Sequence, residues 1–590
     1  MKLKKSASIN HLWANLIIEE LLRNGVEYFC VAPGSRSSSL ALAIGSNPKA
    51  KSFVHFDERG LAFHALGYVA ATKHPCAIIT TSGTAVANLF PAIIEASKKK
   101  LPLIVITADR PPELRLSGAN QTIDQVKIFG EYVRWQFDLP CPTEDIQPEF
   151  VLTTIDQAVY RAQGRPPGPV HLNCMLREPL APVKTKNNFI NYLNDLKVWR
   201  QSNKPYTSYT VSEIVLSENS VTEIIRRINR IKNGLIVVGK LGNSKDREAT
   251  LKLSEKLNWP ILADISSGLR LGGTHKNIIH YFDQILHVET RHAASLQNID
   301  GVIHLGGRMT SKRLSDFLEK NRPKEYIMIL NHPLRHDPHH QVSLRVESSV
   351  TEVWKKIEKK IKHKRHNGYL MVLQKANQTA QKSLDQLAQK NEALSEPSVA
   401  RLLSECILPN SGLFIGNSLA IREMDMFASS SGPSVEITAN RGASGIDGNI
   451  ASACGFALGL NKPVTVLTGD LALLHDLNSL AMTREMKKSF VVVVLNNNGG
   501  GVFSFLPIAD STSAVFERFF GTPHGFTFEH AAKMFHLNYA QAQTKTEFID
   551  AYRQAQNAKT PTIIEIKTDR ASNVNILRRL QSMIATAVQK

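Results

Sequence analysis

Val464-Thr-Val-Leu-Thr-Gly-Asp470 and Val491-Val-Val-Val-Leu-Asn-Asn-Asn-Gly499 are two short β-branched runs, each ending in oxygen-bearing side chains or glycine. Apolar runs of this length, bounded by turn residues, read as strands buried on both faces, as in a parallel sheet. In an open parallel sheet, ligands sit beyond the carboxyl ends of the strands. Asp470 and Asn497 are therefore expected side by side at one sheet edge. A carboxylate, an amide oxygen and a nearby backbone carbonyl, that of Gly499, are hard oxygen ligands. They suit an octahedral Mg2+ (or Mn2+) whose other positions go to phosphate oxygens and water. Gly499 and Gly500 let the backbone come close to such a group. Gly-Asp by itself marks only a strand-end turn; it is the company of Asn496–Asn498 and two glycines that points to a metal and a diphosphate.

The same alternation of short apolar runs with helical patterns extends along the chain. Strands are expected at Tyr28–Val31, Phe53–Phe56, Ala77–Thr80, Leu103–Thr107 and around Val170–Leu172. A second set falls at Leu235–Val238, Ile261–Ala263, Val302–Leu305 and Tyr326–Leu330, and a third at Leu413–Ile415, Val464–Leu467, Val491–Leu495 and Thr562–Ile566. The expected fold class is α/β, with three doubly wound parallel-sheet domains at 1–185, 210–365 and 396–590. Leu180–Tyr209 and Gln374–Glu396 read as polar connections, and Lys355–Arg365 (KKIEKKIKHKR) as a solvated amphipathic helix. Gly239-Lys-Leu-Gly242 after a strand is a fragment of a dinucleotide-type loop, a weak signal alone.

At 590 residues two to four domains are expected. The 71 Lys+Arg against 52 Asp+Glu give a net charge of +19, which favours encounter with nucleic acid, acidic lipid or small polyanionic metabolites. Aromatic content of 7% and the lack of zinc-finger or RNA-binding signatures weigh against nucleic acid. Cys30, Cys76, Cys141, Cys174, Cys406 and Cys454 form no CxxC pair, which fits a reducing compartment. The apolar stretch near the N-terminus is interrupted by Glu19 and Glu20, so it reads as a helix rather than a signal peptide. Phe490–Leu495 is too short to span a bilayer. A cytoplasmic location without membrane insertion is expected.

Gly469-Asp470 followed by the Asn triplet resembles the metal–diphosphate motif of thiamine diphosphate enzymes, with Leu471 in place of the usual third glycine. Such enzymes need a carboxylate on the aminopyrimidine ring to generate the reactive ylid. His55-Phe-Asp-Glu-Arg-Gly60 offers Glu58; a plain helix-start acid at Asp57 or Glu58 is the alternative on composition alone. The order of Ala32-Pro-Gly-Ser-Arg-Ser37, Thr107-Ala-Asp-Arg-Pro-Pro-Glu113, Gly118-Ala-Asn-Gln121, Arg308-Met-Thr-Ser-Lys-Arg313, Asn417-Ser418 with Arg422, and Asn440-Arg-Gly-Ala-Ser-Gly-Ile-Asp447 is more specific. Together with Gly469-Asp-Leu471, these motifs closely resemble the 2-succinyl-5-enolpyruvyl-6-hydroxy-3-cyclohexene-1-carboxylate synthases, transferases of menaquinone or phylloquinone biosynthesis.

The resemblance implies decarboxylation of 2-oxoglutarate and conjugate addition of the resulting succinyl-semialdehyde carbanion equivalent to isochorismate. It assigns the substrate pocket to Ser35, Arg36, Arg110, Asn120, Gln121, Lys312, Arg313, Ser418, Arg422 and Arg441. Both substrates are dianions, which guanidiniums bind through bidentate charge-assisted hydrogen bonds. Glu58, Ile446, Asp470, Leu471, Asn497, Gly499, Val502 and Phe503 are assigned to the cofactor, with Ile446 propping its bent form and Phe503 beside the active carbon. The resemblance also implies a structural middle domain, and a homodimer or homotetramer with active sites at the subunit interface. The rivals are an acetolactate synthase or 2-oxo acid decarboxylase, against which the Arg-rich pocket and the missing FAD-type loop speak, and a non-catalytic basic nucleic-acid-binding protein.

Overall fold

The computed structural model describes residues 6–182, 189–286, 299–363, 368–390, 392–510 and 512–589. Three parallel sheets organise them. The first contains β1 (Tyr28–Val31), β2 (Lys51–Val54), β3 (Cys76–Thr80), β4 (Leu103–Asp109), β5 (Gln136–Leu139) and β6 (Val170–Met175), in the order β2-β1-β3-β4-β6-β5. The second contains β7 (Gly234–Val238), β8 (Ile261–Ala263), β9 (Gly301–Leu305), β10 (Glu325–Leu330) and β11 (Leu344–Glu347), in the order β11-β10-β9-β7-β8. The third contains β12 (Gly412–Ile415), β13 (Glu436–Thr438), β14 (Val464–Gly469), β15 (Phe490–Asn496), β16 (Asn538–Gln541) and β17 (Thr562–Lys567), in the order β13-β12-β14-β15-β17-β16.

The expected class, three doubly wound parallel-sheet domains, is what the chain forms. The first and third sheets share one topology. In each, the chain steps outward to an edge strand and then reverses, opening a crevice between β1 and β3 and between β12 and β14. Such switch points are where open α/β sheets bind ligands.

By packing, the chain forms two compact units. One comprises Met1–Val211, Asn440–Asn461 and Leu474–Lys488; the other comprises Ser212–Ala439, Lys462–Leu473 and Ser489–Lys590. The first unit is built around the first sheet, with Trp13, Leu16, Phe29, Ile79, Ile104 and Leu172 in its core. Helix Asn449–Leu460 belongs to this unit and packs along helix Glu58–Thr72. The two backbones nearly touch: a Cβ on Gly67 would lie 1.9 Å from Ser452 O, and one on Gly455 1.9 Å from His64 O. The second unit joins the second and third sheets through one apolar core that includes Leu235, Tyr281, Phe427 and Leu467.

Several local expectations are corrected. β2 runs over Lys51–Val54 rather than Phe53–Phe56, because an edge strand tolerates the exposed Lys51 and Ser52 while His55 and Phe56 turn into the next helix. β5, β11, β13 and β16 lack the continuous apolar run that marks a central strand. Within the expected Leu180–Tyr209 connection, Phe189, Leu193, Leu196 and Trp199 are buried in the first core rather than solvated. Gln374–Lys390 lies in helix Gly368–Lys390. The basic run is helical only to Ile357; a final turn, closed by Ile361 N–H to Ile357 O at 2.9 Å, returns Ile361 to the core. Its residues 364 and 365 lie outside the described residues. The Gly239 loop is filled by protein, since a Cβ there would sit 2.0 Å from Gly307 O.

Candidate active site

Leu467, Thr468 and Gly469 of β14 pair with Val493, Val494 and Leu495 of β15. This register brings the residues that follow, Asp470 and Asn497, to the same sheet edge, as the strand pattern suggests. Asp470 is buried. Its Oδ1 accepts from Leu471 N–H at 2.7 Å, and its Oδ2 accepts from Gly499 N–H at 2.9 Å. His524 Nε2 lies 3.1 Å from the same Oδ2 and, facing a carboxylate, acts as donor. Gly499 has φ +132°, and a Cβ there would strike Gly521 O at 1.9 Å, so only glycine fits.

Asn497 is buried, and its Nδ2 donates to Glu396 Oε1 at 2.9 Å. Its Oδ1 has no hydrogen-bond partner among the described residues. A buried acceptor with no donor among the described residues, beside a buried carboxylate and a glycine backbone, could serve a hard cation that shares its shell with phosphate. No group of three or more His, Cys, Asp or Glu able to hold a metal occurs among the described residues. Ser418, at φ +68°, precedes helix Leu419–Phe427 at the β12 end, and Arg422 Nη1 donates to its carbonyl. Val502 and Phe503 lie in the 3-10 turn Gly501–Phe505, where the Phe503 ring meets Phe520 edge-on at 5.7 Å.

In the first unit, Arg36 and Arg110 emerge from the β1 and β4 ends and are both buried. Arg36 Nη1 donates to Leu176 O at 3.0 Å, and Nη2 lies 3.3 Å from Glu178 Oε1. Arg110 donates to Ser82 Oγ and, at 2.7 Å, to Asn120 O. Gln121, at φ +54°, donates Nε2–H to Ser82 O at 3.0 Å. Burial, and then the neighbouring Arg110, lower the Arg36 pKa; Glu178 and Asp109 offset only part of this. The two guanidiniums are thus close enough to feel each other's charge, at the carboxyl ends of β1 and β4. Ser35 is exposed beside them.

Asp57, not Glu58, caps helix Glu58–Thr72, accepting from Gly60 N–H at 3.2 Å. Glu58 is half-buried, and its Oε2 accepts from Asn88 Nδ2 at 3.5 Å. The Arg441 loop is held by Glu95, whose carboxylate accepts from Gly442 N–H (2.7 Å) and Ala443 N–H. Ile446 is 38% exposed. Lys312 and Arg313 are engaged by Asp316 (2.7 Å) and Asp283 (2.6 Å) on the second-sheet side.

The structure thus gathers Arg36, Arg110, Asn120 and Gln121 in one unit. It gathers Asp470, Leu471, Asn497, Gly499, Val502 and Phe503 at the third-sheet edge of the other. Glu396 and His524 at the third-sheet edge, and Glu95 under the Arg441 loop of the first unit, had no sequence signal: each is a single polar residue in an ordinary helix or loop, brought to its partner by tertiary packing.

Three family models match the chain: the N-terminal thiamine pyrophosphate-binding domain over residues 13–128, the middle domain over 190–415 and the C-terminal thiamine pyrophosphate-binding domain over 424–566. The 2-succinyl-5-enolpyruvyl-6-hydroxy-3-cyclohexene-1-carboxylate synthase of Rubrobacter xylanophilus is 46% identical over 97% of this chain and 98% of its own length. The enzyme of the same name from Salinibacter ruber is 41% identical over 98% of this chain and 97% of its own. The chloroplastic protein PHYLLO of Arabidopsis thaliana is 40% identical over 100% of this chain, which spans 36% of that protein. A solved structure of a candidate thiamin diphosphate-dependent enzyme from Mycobacterium smegmatis shares the fold, with a TM-score of 0.68 at 16% identity over 94% of this chain and 99% of that one.

Proposed function

The chain belongs to the 2-succinyl-5-enolpyruvyl-6-hydroxy-3-cyclohexene-1-carboxylate synthases, thiamine diphosphate-dependent transferases of menaquinone or phylloquinone biosynthesis, and on that premise we propose that it joins 2-oxoglutarate to isochorismate with loss of carbon dioxide. The observation that carries the substrate reading is the buried pair Arg36 and Arg110. Both proposed substrates are dianions; Arg36 has the exposed Glu178 as its anionic neighbour, and the Arg110 guanidinium donates to the neutral oxygens of Ser82 and Asn120, so a substrate carboxylate would complete the charge balance.

Asp470, Asn497 and the Gly499 carbonyl would hold Mg2+ (or Mn2+), with the diphosphate beside them. Leu471, Ile446, Val502 and Phe503 would pack on the cofactor, and Glu58 would hydrogen-bond its pyrimidine ring. Thiamine diphosphate supplies the electron sink for decarboxylation and for transfer of the remaining four-carbon unit. The side chains bind and orient: Ser35, Arg36, Arg110, Asn120, Gln121, Lys312, Arg313, Ser418, Arg422 and Arg441 hold carboxylates and hydroxyls, and neutralise charge as water is excluded. The 1–185 domain would bind the pyrimidine end of the cofactor and the 396–590 domain its diphosphate and metal, while the 210–365 domain would be structural. The active sites would lie between subunits of a homodimer or homotetramer. No described helix is long and apolar enough to cross a membrane, and we place the enzyme in the cytoplasm.

Donor choice tests this reading. With isochorismate as acceptor, 2-oxobutyrate should be about 10²–10³-fold less efficient than 2-oxoglutarate, because its methyl end leaves a buried cation unpaired. Equal efficiency would move the assignment to an acetolactate-type enzyme.

A further inference from the structure

Asn497 carries two chemically opposite ends on one amide, and only the oxygen can face a cation. Glu396 decides which end that is. It is fully buried at the start of helix Glu396–Cys406, whose cap Ser395 is locked by reciprocal hydrogen bonds with Ser398. Three donors converge on its Oε1: Asn497 Nδ2 at 2.9 Å, Asn573 Nδ2 at 2.6 Å and Thr568 Oγ1 at 3.0 Å. Asn573 also accepts from the Glu396 backbone N–H at 3.4 Å. An acceptor this tightly held can be approached only by the NH2 end of Asn497. The Oδ1 then points away from Glu396, and it is this oxygen that is buried without a donor among the described residues. Gly501 closes the amide from the side: a Cβ there would lie 2.4 Å from Nδ2. A buried carboxylate is costly to desolvate, so a hub of this kind calls for a purpose beyond packing.

We infer that Glu396 is a positioning residue for the divalent cation, fixing the Asn497 amide so that Oδ1 faces the metal. The inference rests on the reading of Asn497 as a metal ligand. Partners of this sort, one step removed from the ion, typically change metal affinity by about 10–100-fold when removed.

The test follows Mg2+-dependent binding of thiamine diphosphate by the shift in thermal midpoint at fixed cofactor, with the cofactor-free midpoint measured alongside. Glu396→Ala and the milder Glu396→Gln should raise the half-saturating Mg2+ concentration, by about tenfold or more for Glu396→Ala. The reciprocal pair Glu396→Gln with Asn497→Asp should restore it towards the wild-type value. A carboxylate at 497 has no wrong end, and the Gln amide donates to it. A purely structural role would lower the cofactor-free midpoint while leaving the half-saturating Mg2+ concentration unchanged, and that result in both single variants would overturn the inference. Failure of the double variant to recover Mg2+ affinity while both singles lose it would also overturn it, since amide orientation would then not be the cause. If the wild type itself shows no Mg2+-dependent cofactor binding, the metal reading falls and the role of Glu396 falls with it; a normal wild type with unaffected Glu396 variants removes only the latter.

Discussion

The backbone N–H of Gly499 donates to Asp470 Oδ2 at 2.9 Å, tying the loop after β15 to the end of β14. The bond depends on a backbone that only glycine adopts there, at φ +132° and against Gly521 O. Gly499→Ala should therefore destabilise the fold by about 2–4 kcal/mol, the range for forced backbone strain with a steric clash. It should also abolish the rise in thermal midpoint that thiamine diphosphate with Mg2+ gives the wild type. Asp470→Ala should lose the same rise with a smaller change in cofactor-free stability. A full rise in Asp470→Ala would remove the metal assignment, because a ligand bound only to the folded state must raise the midpoint.

Glu58 is free of the capping duty that Asp57 performs. Glu58→Gln should keep cofactor binding yet slow turnover by roughly 10²-fold or more, the scale of a lost proton-transfer group. Cofactor titration and steady-state turnover on the same preparation separate the two effects. Near-full activity would send the activating role elsewhere, with Asp57 the next candidate.

For the cationic pocket, Arg110→Ala should raise the KM for a dianionic substrate by about 10²-fold, the loss expected for a buried charge pair. Arg422→Ala should weaken use of 2-oxoglutarate and narrow its advantage over 2-oxobutyrate, since no unpaired cation is left to penalise the methyl end. Comparing kcat/KM for both donors on wild type and variants decides it; an unchanged ratio in Arg422→Ala would free that residue from donor recognition.

What could be read from the sequence follows from burial. Strands β3, β4, β7, β9 and β15 are buried throughout and β14 in all but Gly469, and they announce themselves as mostly apolar runs, so the sheet edge bearing Asp470 and Asn497 was legible. Edge strands such as β5 and β16 bury little, and their Gln136-Phe-Asp-Leu139 and Asn538-Tyr-Ala-Gln541 carry no period to read. The motif arginines were legible by resemblance, whereas their anchors were not. Ser82 under Arg110, Glu95 under the Arg441 loop and Glu396 behind Asn497 are each distant in sequence from the residue they hold.

A prediction from pH rests on Glu20 and Asp156, which clasp the 189–209 segment. Glu20 accepts from Trp199 Nε1 at 2.6 Å and from Tyr206 N–H; Asp156 accepts from Thr207 N–H at 2.7 Å. Burial, then the hydrogen bond with Asp156, push the Glu20 pKa up to about 8. The folded form thus holds a proton that the unfolded chain releases near pH 4.3, about the ordinary Glu value. Its stabilisation is full below that pH and is lost as pH rises towards about 8. The thermal midpoint of the wild type should fall across this window more steeply than that of Glu20→Gln, which keeps a donor to Asp156 at every pH. Parallel curves for the two proteins would show that the pair does not share a proton.

The most direct measurement is carbon dioxide release coupled to isochorismate consumption, with 2-oxoglutarate, thiamine diphosphate and Mg2+ each omitted in turn. Full turnover is expected only when all four are present, with one carbon dioxide released for each isochorismate consumed. Release of carbon dioxide from 2-oxoglutarate at the full rate without isochorismate, or turnover that ignores thiamine diphosphate, would contradict the proposed reaction.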